Sequence, residues 1–198
     1  MFHKIPDQVK TRMGYLEDLD RQHRSEGAPS NIRLRQVPRE TGKFLAIMAS
    51  LAPAGTYLEI GTSGGYSALW LALACRELGR KLITFEILPQ KVDIARETFR
   101  AAEVEDVVEL IPGDAREYLD NCSDISFCFL DAEKEMYREC YEKIIPNMVE
   151  HGILIADNVI SHKDVLKDMV EHALSDRRVD TVVVPIGSGL LLCVKRRQ

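Results

Sequence analysis

Tyr57-Leu58-Glu59-Ile60-Gly61-Thr62-Ser63-Gly64-Gly65-Tyr66-Ser67 starts as a short apolar run, breaks into glycines, and resumes as Ala68 to Cys75, apolar on every side. A brief apolar run reads as a strand, the glycines turn the chain, and an all-apolar segment of helical length reads as a helix buried all round. Strand, loop and buried helix open a β-α unit, and the pattern recurs in both directions. Upstream, Phe44, Ile47, Met48 and Leu51 repeat at helical spacing. Downstream, Leu82-Ile83-Thr84-Phe85 is a strand, followed by a helix with Val92, Ala95, Phe99 and Ala102 on one face. Val107 to Ile111 and Ile125 to Leu130 are further strands. Tyr137, Cys140, Tyr141, Ile144 and Ile145 stripe a helix that Pro146 ends. Ile153 to Ala156 is a fifth strand. Ser161 and Asp164 have the spacing of a capping box ahead of a helix striped by Val165, Leu166, Met169 and Ala173.

The C-terminus breaks the alternation. Thr181 to Ile186 and Leu190 to Val194 are strands separated only by Gly187-Ser188-Gly189. A parallel crossover needs about a dozen residues or more, so this pair is antiparallel, with 187–189 as its turn. The expected fold is α/β: a doubly wound sheet of seven strands ending in an antiparallel hairpin. Residues 8–24 read as a polar, weakly amphipathic helix, and Ser25 to Asn31 as a turn-rich loop. Residues 1–35 are therefore expected to form a helical appendage and 36–198 the main domain. An appended helix with little core of its own suits a homodimer.

Composition narrows the function. The 198 residues are 45% hydrophobic and 29% charged, with a net charge of −5, which disfavours a dedicated nucleic-acid binder. The uncharged run Ile60 to Cys75 is 16 residues long and interrupted by glycine, too short for a membrane span. The N-terminus shows no apolar signal core, so a cytoplasmic location is expected. The five cysteines have no metal-type spacing and read as small buried hydrophobes. Arg33, Arg35 and Arg39 read as a solvated basic face, with contact to an anionic ligand as the alternative.

In doubly wound sheets ligands sit beyond the carboxyl ends of the strands, near the point where strand order reverses. The residues just beyond each strand are therefore informative. The first strand leads into the Gly61 to Gly65 loop, which lacks the G-x-G-x-x-G of a dinucleotide site and so disfavours an NAD-dependent dehydrogenase. The second ends at Glu86, 25 positions after Gly61, where an acid can accept from ribose hydroxyls or simply sit at a helix entry. The third leads to Gly113-Asp114-Ala115, the fourth to Asp131-Ala132-Glu133-Lys134, the fifth to Asp157-Asn158. Each polar residue could be a cap or a loop former. Five ligand-facing strand ends in series favour a nucleoside site.

Those residues carry a resemblance. Y-L-E-I-G-T-S-G-G-Y-S-A-L-W-L-A-L-A (57–74), I-T-F-E (83–86), G-D-A (113–115), F-L-D-A-E-K-E-M-Y (129–137), I-A-D-N-V (155–159) and P-I-G-S-G (185–189) stand in the order found in class I S-adenosylmethionine-dependent O-methyltransferases. Within that class the chain resembles the catechol and caffeoyl-CoA type, whose sheet is the Rossmann-like methyltransferase sheet. The resemblance implies that the loop from Glu59 to Ser67 holds the methionine end of S-adenosyl-L-methionine, through Glu59, Gly61, Thr62, Ser63 and Ser67. It implies Glu86 on the ribose, Asp114 and Ala115 at the adenine, and Asp131 between cofactor and metal. It further implies that Asp131, Asp157 and Asn158 bind a divalent ion, Mg²⁺ by the hardness of the oxygen donors, with Lys134 as catalytic base. The acceptor would be a small hydroxylated molecule.

Two departures bear on that acceptor. Only 27 positions separate Asn158 from Pro185, and Ser188 stands where many members have aspartate, so a catechol is not specified. His162 reads as a water-facing residue or as a substrate contact. The competing readings are a metal-independent methyltransferase acting on nitrogen or carboxylate, and a non-catalytic nucleoside-binding protein.

Overall fold

The computed structural model describes residues 1–29 and 31–197. Seven strands, β1 (Thr56–Ile60), β2 (Leu82–Glu86), β3 (Val108–Pro112), β4 (Ile125–Leu130), β5 (Met148–Ala156), β6 (Val179–Val184) and β7 (Leu190–Lys195), form one sheet in the order β3-β2-β1-β4-β5-β7-β6. β1 to β5 run parallel, and β7 lies antiparallel to both β5 and β6. Strand order reverses between β1 and β4, which pair directly from Thr56–Ile125 to Ile60–Leu130. The ends of β1, β4 and β5 therefore lie side by side, and so do the residues just beyond them.

Alternation along the strands feeds two cores. Tyr57, Phe127, Phe129, Ile153 and Ile155 face α1 (Asp7–Ser25), α2 (Arg39–Leu51), α3 (Tyr66–Leu78) and α4 (Pro89–Ala101). Leu58, Ile60, Cys128, Leu130 and Leu154 face α5 (Arg116–Leu119), α6 (Tyr137–Ile144) and α7 (Lys163–Ser175). α3 is buried continuously from Tyr66 to Cys75, as its all-apolar sequence requires. Gly42 lets α2 approach it: a Cβ there would overlap the Trp70 indole. The five cysteines are free, and all but Cys122 are buried. Among the described residues no helix is long and apolar enough to cross a membrane.

Four local features differ from the sequence reading. The β6–β7 connection is 185–189 rather than 187–189, because β6 stops at Val184; Pro185 has no N–H to continue a ladder. β5 begins at Met148, five residues before its apolar run, through the polar Met148-Val149-Glu150-His151-Gly152. The capping box does not form: α7 starts at Lys163 with no side-chain cap, and Ser161 Oγ instead meets His162 Nδ1 at 2.9 Å. Finally, α1 packs more firmly than its weak pattern announces. Val9, Met13 and Leu16 are buried in the same core as Trp70, the Arg12 guanidinium donates to Thr98 Oγ1 on α4, and Tyr66 donates to Glu17 at 2.6 Å.

Candidate active site

A cleft of about 970 Å³, open to solvent, runs across the carboxyl ends of β1, β2, β3 and β4. Its floor begins where β1 ends. Gly61 sits at φ +103°, and a Cβ on it would collide with the main-chain carbonyl of Asp131. Glycine here thus brings the ends of β1 and β4 together at the reversal point. Thr62, Ser63 and Ser67 continue the wall, and Ser63 Oγ ties the loop to Leu34 by donating to its carbonyl at 2.6 Å.

The opposite end of the cleft is built on β2 and β3. Glu86 is buried, and its carboxylate is fixed by two main-chain donors: Ser63 N–H to Oε2 at 2.7 Å and Leu88 N–H to Oε1 at 2.9 Å. Each oxygen keeps a free lone-pair direction, so the group can still accept from a ligand. Asp114 and Ala115 line the cleft beyond β3. Asp114 accepts from the N–H and guanidinium of Arg116, and these bonds hold its carboxyl below the usual range.

At the β4 and β5 ends the chemistry changes. Leu130 and Ala156 are paired in register, so Asp131 and Asp157 emerge as neighbours, and Asp157 N–H donates to the Leu130 carbonyl at 3.0 Å. Asp157 is 2% exposed; burial and the Asp131 charge push its carboxyl up to about 7. Asn158, at φ +68°, comes next, in the left-handed region that asparagine tolerates, and lines the cleft. Lys134 stands over this pair, donating to Ala132 O at 2.9 Å, Tyr137 Oη at 3.0 Å and Asp131 Oδ1 at 3.3 Å. Tyr137 is fully buried and donates onward to the Asp157 carbonyl at 3.2 Å.

Of the residues singled out in the sequence, Gly61, Thr62, Ser63, Ser67, Glu86, Asp114, Ala115, Asp131, Lys134 and Asn158 line one cleft. Glu59 and Asp157 lie beneath its surface. His162 is exposed and stands outside it. Three further contributors were not assigned to the site from the sequence. Leu34 to Val37 cross the cleft as a strap, Arg35 of that strap pairs with Glu133 at 2.9 Å, and Lys91 enters from α4. Arg35 belonged to the basic cluster read as solvated; the others belong to segments without periodicity or to the polar side of a helix.

Glu59 is fully buried under the floor. Its Oε2 accepts from Thr84 Oγ1 at 2.5 Å, Thr84 meets Thr62 Oγ1 at 2.6 Å, and Oε1 finds no partner among the described residues. Burial pushes this carboxyl up to about 7, against partial relief from the Ser67 and Thr84 hydroxyls. Because the folded state holds the proton more tightly than the unfolded chain does, this contribution is complete below about pH 4.5 and is lost as pH rises through about 7. The shift corresponds to about 3 kcal/mol. Between pH 4.5 and 8, Glu59→Gln should therefore gain about that much relative to the wild type. Urea titrations at both ends of the window check this, and identical pH dependence in the two proteins would remove Glu59 as the cause.

The profile of the O-methyltransferase family matches residues 11–196. The chain belongs to the S-adenosylmethionine-dependent O-methyltransferase family. It is 28% identical over 173 residues to a catechol O-methyltransferase of Niastella koreensis, covering 85% of this chain and 78% of the relative. It is 34% identical over 134 residues to a catechol O-methyltransferase of Mycobacterium tuberculosis, covering 67% of this chain and 60% of that one. The fold superposes on the SAH-bound methyltransferase PaMTH1 of Podospora anserina with a TM-score of 0.80 at 21% identity, over 98% and 89% of the two chains. The sheet with its antiparallel C-terminal strands is the Rossmann-like sheet of these methyltransferases.

Proposed function

We propose that this protein transfers the methyl group of S-adenosyl-L-methionine to a hydroxyl oxygen of a small acceptor, with a divalent ion at Asp131, Asp157 and Asn158. The observation that carries the reading is the convergence of two carboxylates and Lys134 at one end of a cleft whose other end is Glu86. The cofactor, when bound, supplies an electrophilic methyl on a sulfonium. Glu86 accepts from the ribose hydroxyls, Asp114 and Ala115 border the base, and the loop from Gly61 to Ser67 surrounds the methionine end. Glu59, lying under the floor, acts on that loop through Thr84 and Thr62.

The residues at the β4 and β5 ends suit a hard cation. Among the described residues no cluster of three His, Cys, Asp or Glu forms, and in this reading the donors are two carboxylates and the Asn158 amide oxygen. Oxygen-only ligands that leave positions for water and acceptor oxygens match Mg²⁺. Burial first, and then the like charge of Asp131, raise the Asp157 carboxyl, and a cation between the two carboxylates would offset both. The ion, when bound, supplies a Lewis acid that favours ionisation of an acceptor hydroxyl. Lys134, entering as the neutral amine that keeps its bonds to Tyr137 and the Ala132 carbonyl, would receive that proton on its free lone pair and become the ammonium. The test is transfer of labelled methyl from S-adenosylmethionine to a panel of phenols and catechols, with Mg²⁺ and with excess EDTA. Transfer that proceeds fully in EDTA favours the metal-free alternative; no transfer to any hydroxyl in either condition overturns the reading.

Cofactor binding gives an independent prediction. Glu86→Gln replaces one oxygen by an amide that faces a main-chain N–H instead of accepting from it. Hydrogen bonds to a charged group are worth roughly 1.5–3 kcal/mol, so the variant should bind cofactor about tenfold more weakly or worse. Calorimetry showing unchanged affinity removes Glu86 from the site. A homodimer is also part of the reading, supported by the exposed Ile47 and Leu51 on α2 and Val182 and Val183 on the edge strand β6. A monomeric mass by light scattering overturns that part.

A further inference from the structure

Lys91 is a buried cation at the rim of the cleft. It is the third residue of α4, is 6% exposed, and lines the cleft beside Glu86, Ile87 and Leu88. Among the described residues its ammonium makes no hydrogen bond or ion pair. Three costs accumulate there. Burial disfavours the charge and lowers the pKa, with attraction to Glu86 the largest opposing influence. The first turn of a helix is the positive end of its dipole, where a cation is repelled. The guanidinium of Arg35, of like charge, acts on it from the strap. Lysines on amphipathic helices normally avoid the first cost by running the ammonium out to water along the apolar stem. Lys91 instead stays in the cleft wall. A local rule broken at the rim of a ligand cleft, with no compensating contact among the described residues, points to a contact made with the ligand.

The chemistry of the neighbouring acid says which contact. Glu86 can only accept hydrogen bonds, and both its oxygens are already oriented by main-chain donors. Ribose hydroxyls that donate to it keep lone pairs of their own, and inside a cleft those lone pairs need a donor. Arg35, the other cation on this wall, is engaged with Glu133. We infer that Lys91 is a cofactor-binding residue, its ammonium donating to a ribose hydroxyl oxygen of the nucleoside whose hydroxyls donate to Glu86. This rests on the proposed reading that the cleft holds S-adenosylmethionine.

The test uses calorimetry on the full chain with S-adenosylmethionine, with S-adenosylhomocysteine, and with a 2′,3′-dideoxy analogue of the latter. Lys91→Met keeps the stem and removes the donor. It should weaken both natural ligands about tenfold and equally, and the loss should vanish for the analogue without hydroxyls. The ligand-free variant should melt higher by roughly 2–4 °C, because a buried charge whose desolvation outweighs the attraction of Glu86, Glu133 and Asp131 has gone. Lys91→Gln, which keeps a donor, should bind with intermediate affinity and guards against a folding defect in the first variant. Unchanged affinity for both natural ligands overturns the inference. So does tighter binding of the sulfonium ligand alone, since that is the signature of simple charge repulsion. An undiminished loss with the dideoxy analogue overturns it too. Failure of the wild type to bind either natural ligand overturns the cofactor reading itself, and the two failures are told apart by that control.

Discussion

Lys134→Ala should lower kcat by about 10²–10⁴ while changing cofactor affinity little, the range expected when a positioned general base is removed. The geometry explains why the loss belongs in kcat. Lys134 reaches Asp131, the Ala132 carbonyl and Tyr137, and touches neither Glu86 nor the glycine loop. Its contacts hold the nitrogen against Asp131, whose strand end neighbours that of Asp157, where an acceptor hydroxyl would give up its proton. A cation without base function could also stabilise an oxyanion there, and Lys134→Arg separates the two roles. A guanidinium keeps the charge and stays protonated, so it supports electrostatic stabilisation but not proton acceptance. Arginine should therefore be nearly as poor as alanine. Single-turnover measurements at saturating cofactor check the order, and an arginine variant with wild-type kcat would assign Lys134 an electrostatic role instead.

Whatever has a period was readable from the chain. The 57–75 stretch specified strand, glycine loop and buried helix because a helix buried on all sides cannot accommodate charge, and none occurs from Ile60 to Cys75; the one acid of the strand, Glu59, lies under the cleft floor. The C-terminal hairpin came from loop length alone, although Pro185 moved its edge. β5 was half hidden, because Met148 to Gly152 pairs at the sheet margin and has no need to be apolar. The ligand-facing residues of the strand ends were readable for a related reason: topology gathers the ends of β1, β4 and β5, so the residues just beyond them share a site whatever the intervening sequence. The strap from Leu34 to Val37 is the opposite case. It lines the cleft without regular structure, held by Ser63 Oγ and the core contact of Leu34, and neither contact leaves a trace in local sequence. Lys91 was hidden by its helix, whose stripe of Val92, Ala95 and Phe99 makes every other position look solvated. Tyr137 was visible as part of that kind of stripe on α6, but not as the link between Lys134 and Asp157.

Asp157→Ala should cost turnover on the order of 10³ or greater, while leaving cofactor affinity within about twofold. The cause lies in the pairing of β4 with β5. Register places Asp131 and Asp157 as neighbours, and Asp157 is too buried for water to screen the repulsion. In the wild type a divalent ion would relieve that repulsion and hold the acceptor; with one carboxylate gone, Asp131 is left with Lys134 as its counter-charge and little affinity for a cation. Removing Asp157 also removes a buried charge, so the variant should be at least as stable as the ligand-free wild type, and a lowered melting temperature is not expected. That combination separates loss of metal from loss of fold. Excess EDTA should reproduce the variant's defect in the wild type and add nothing to it in Asp157→Ala, because the two perturbations remove the same interaction. Restoring Mg²⁺ should rescue the wild type alone. If the chelator and the substitution instead lower kcat independently and multiplicatively, the ion acts elsewhere, and the Asp157 carboxylate serves the reaction by accepting from Asn158 N–H and fixing that turn rather than as a ligand.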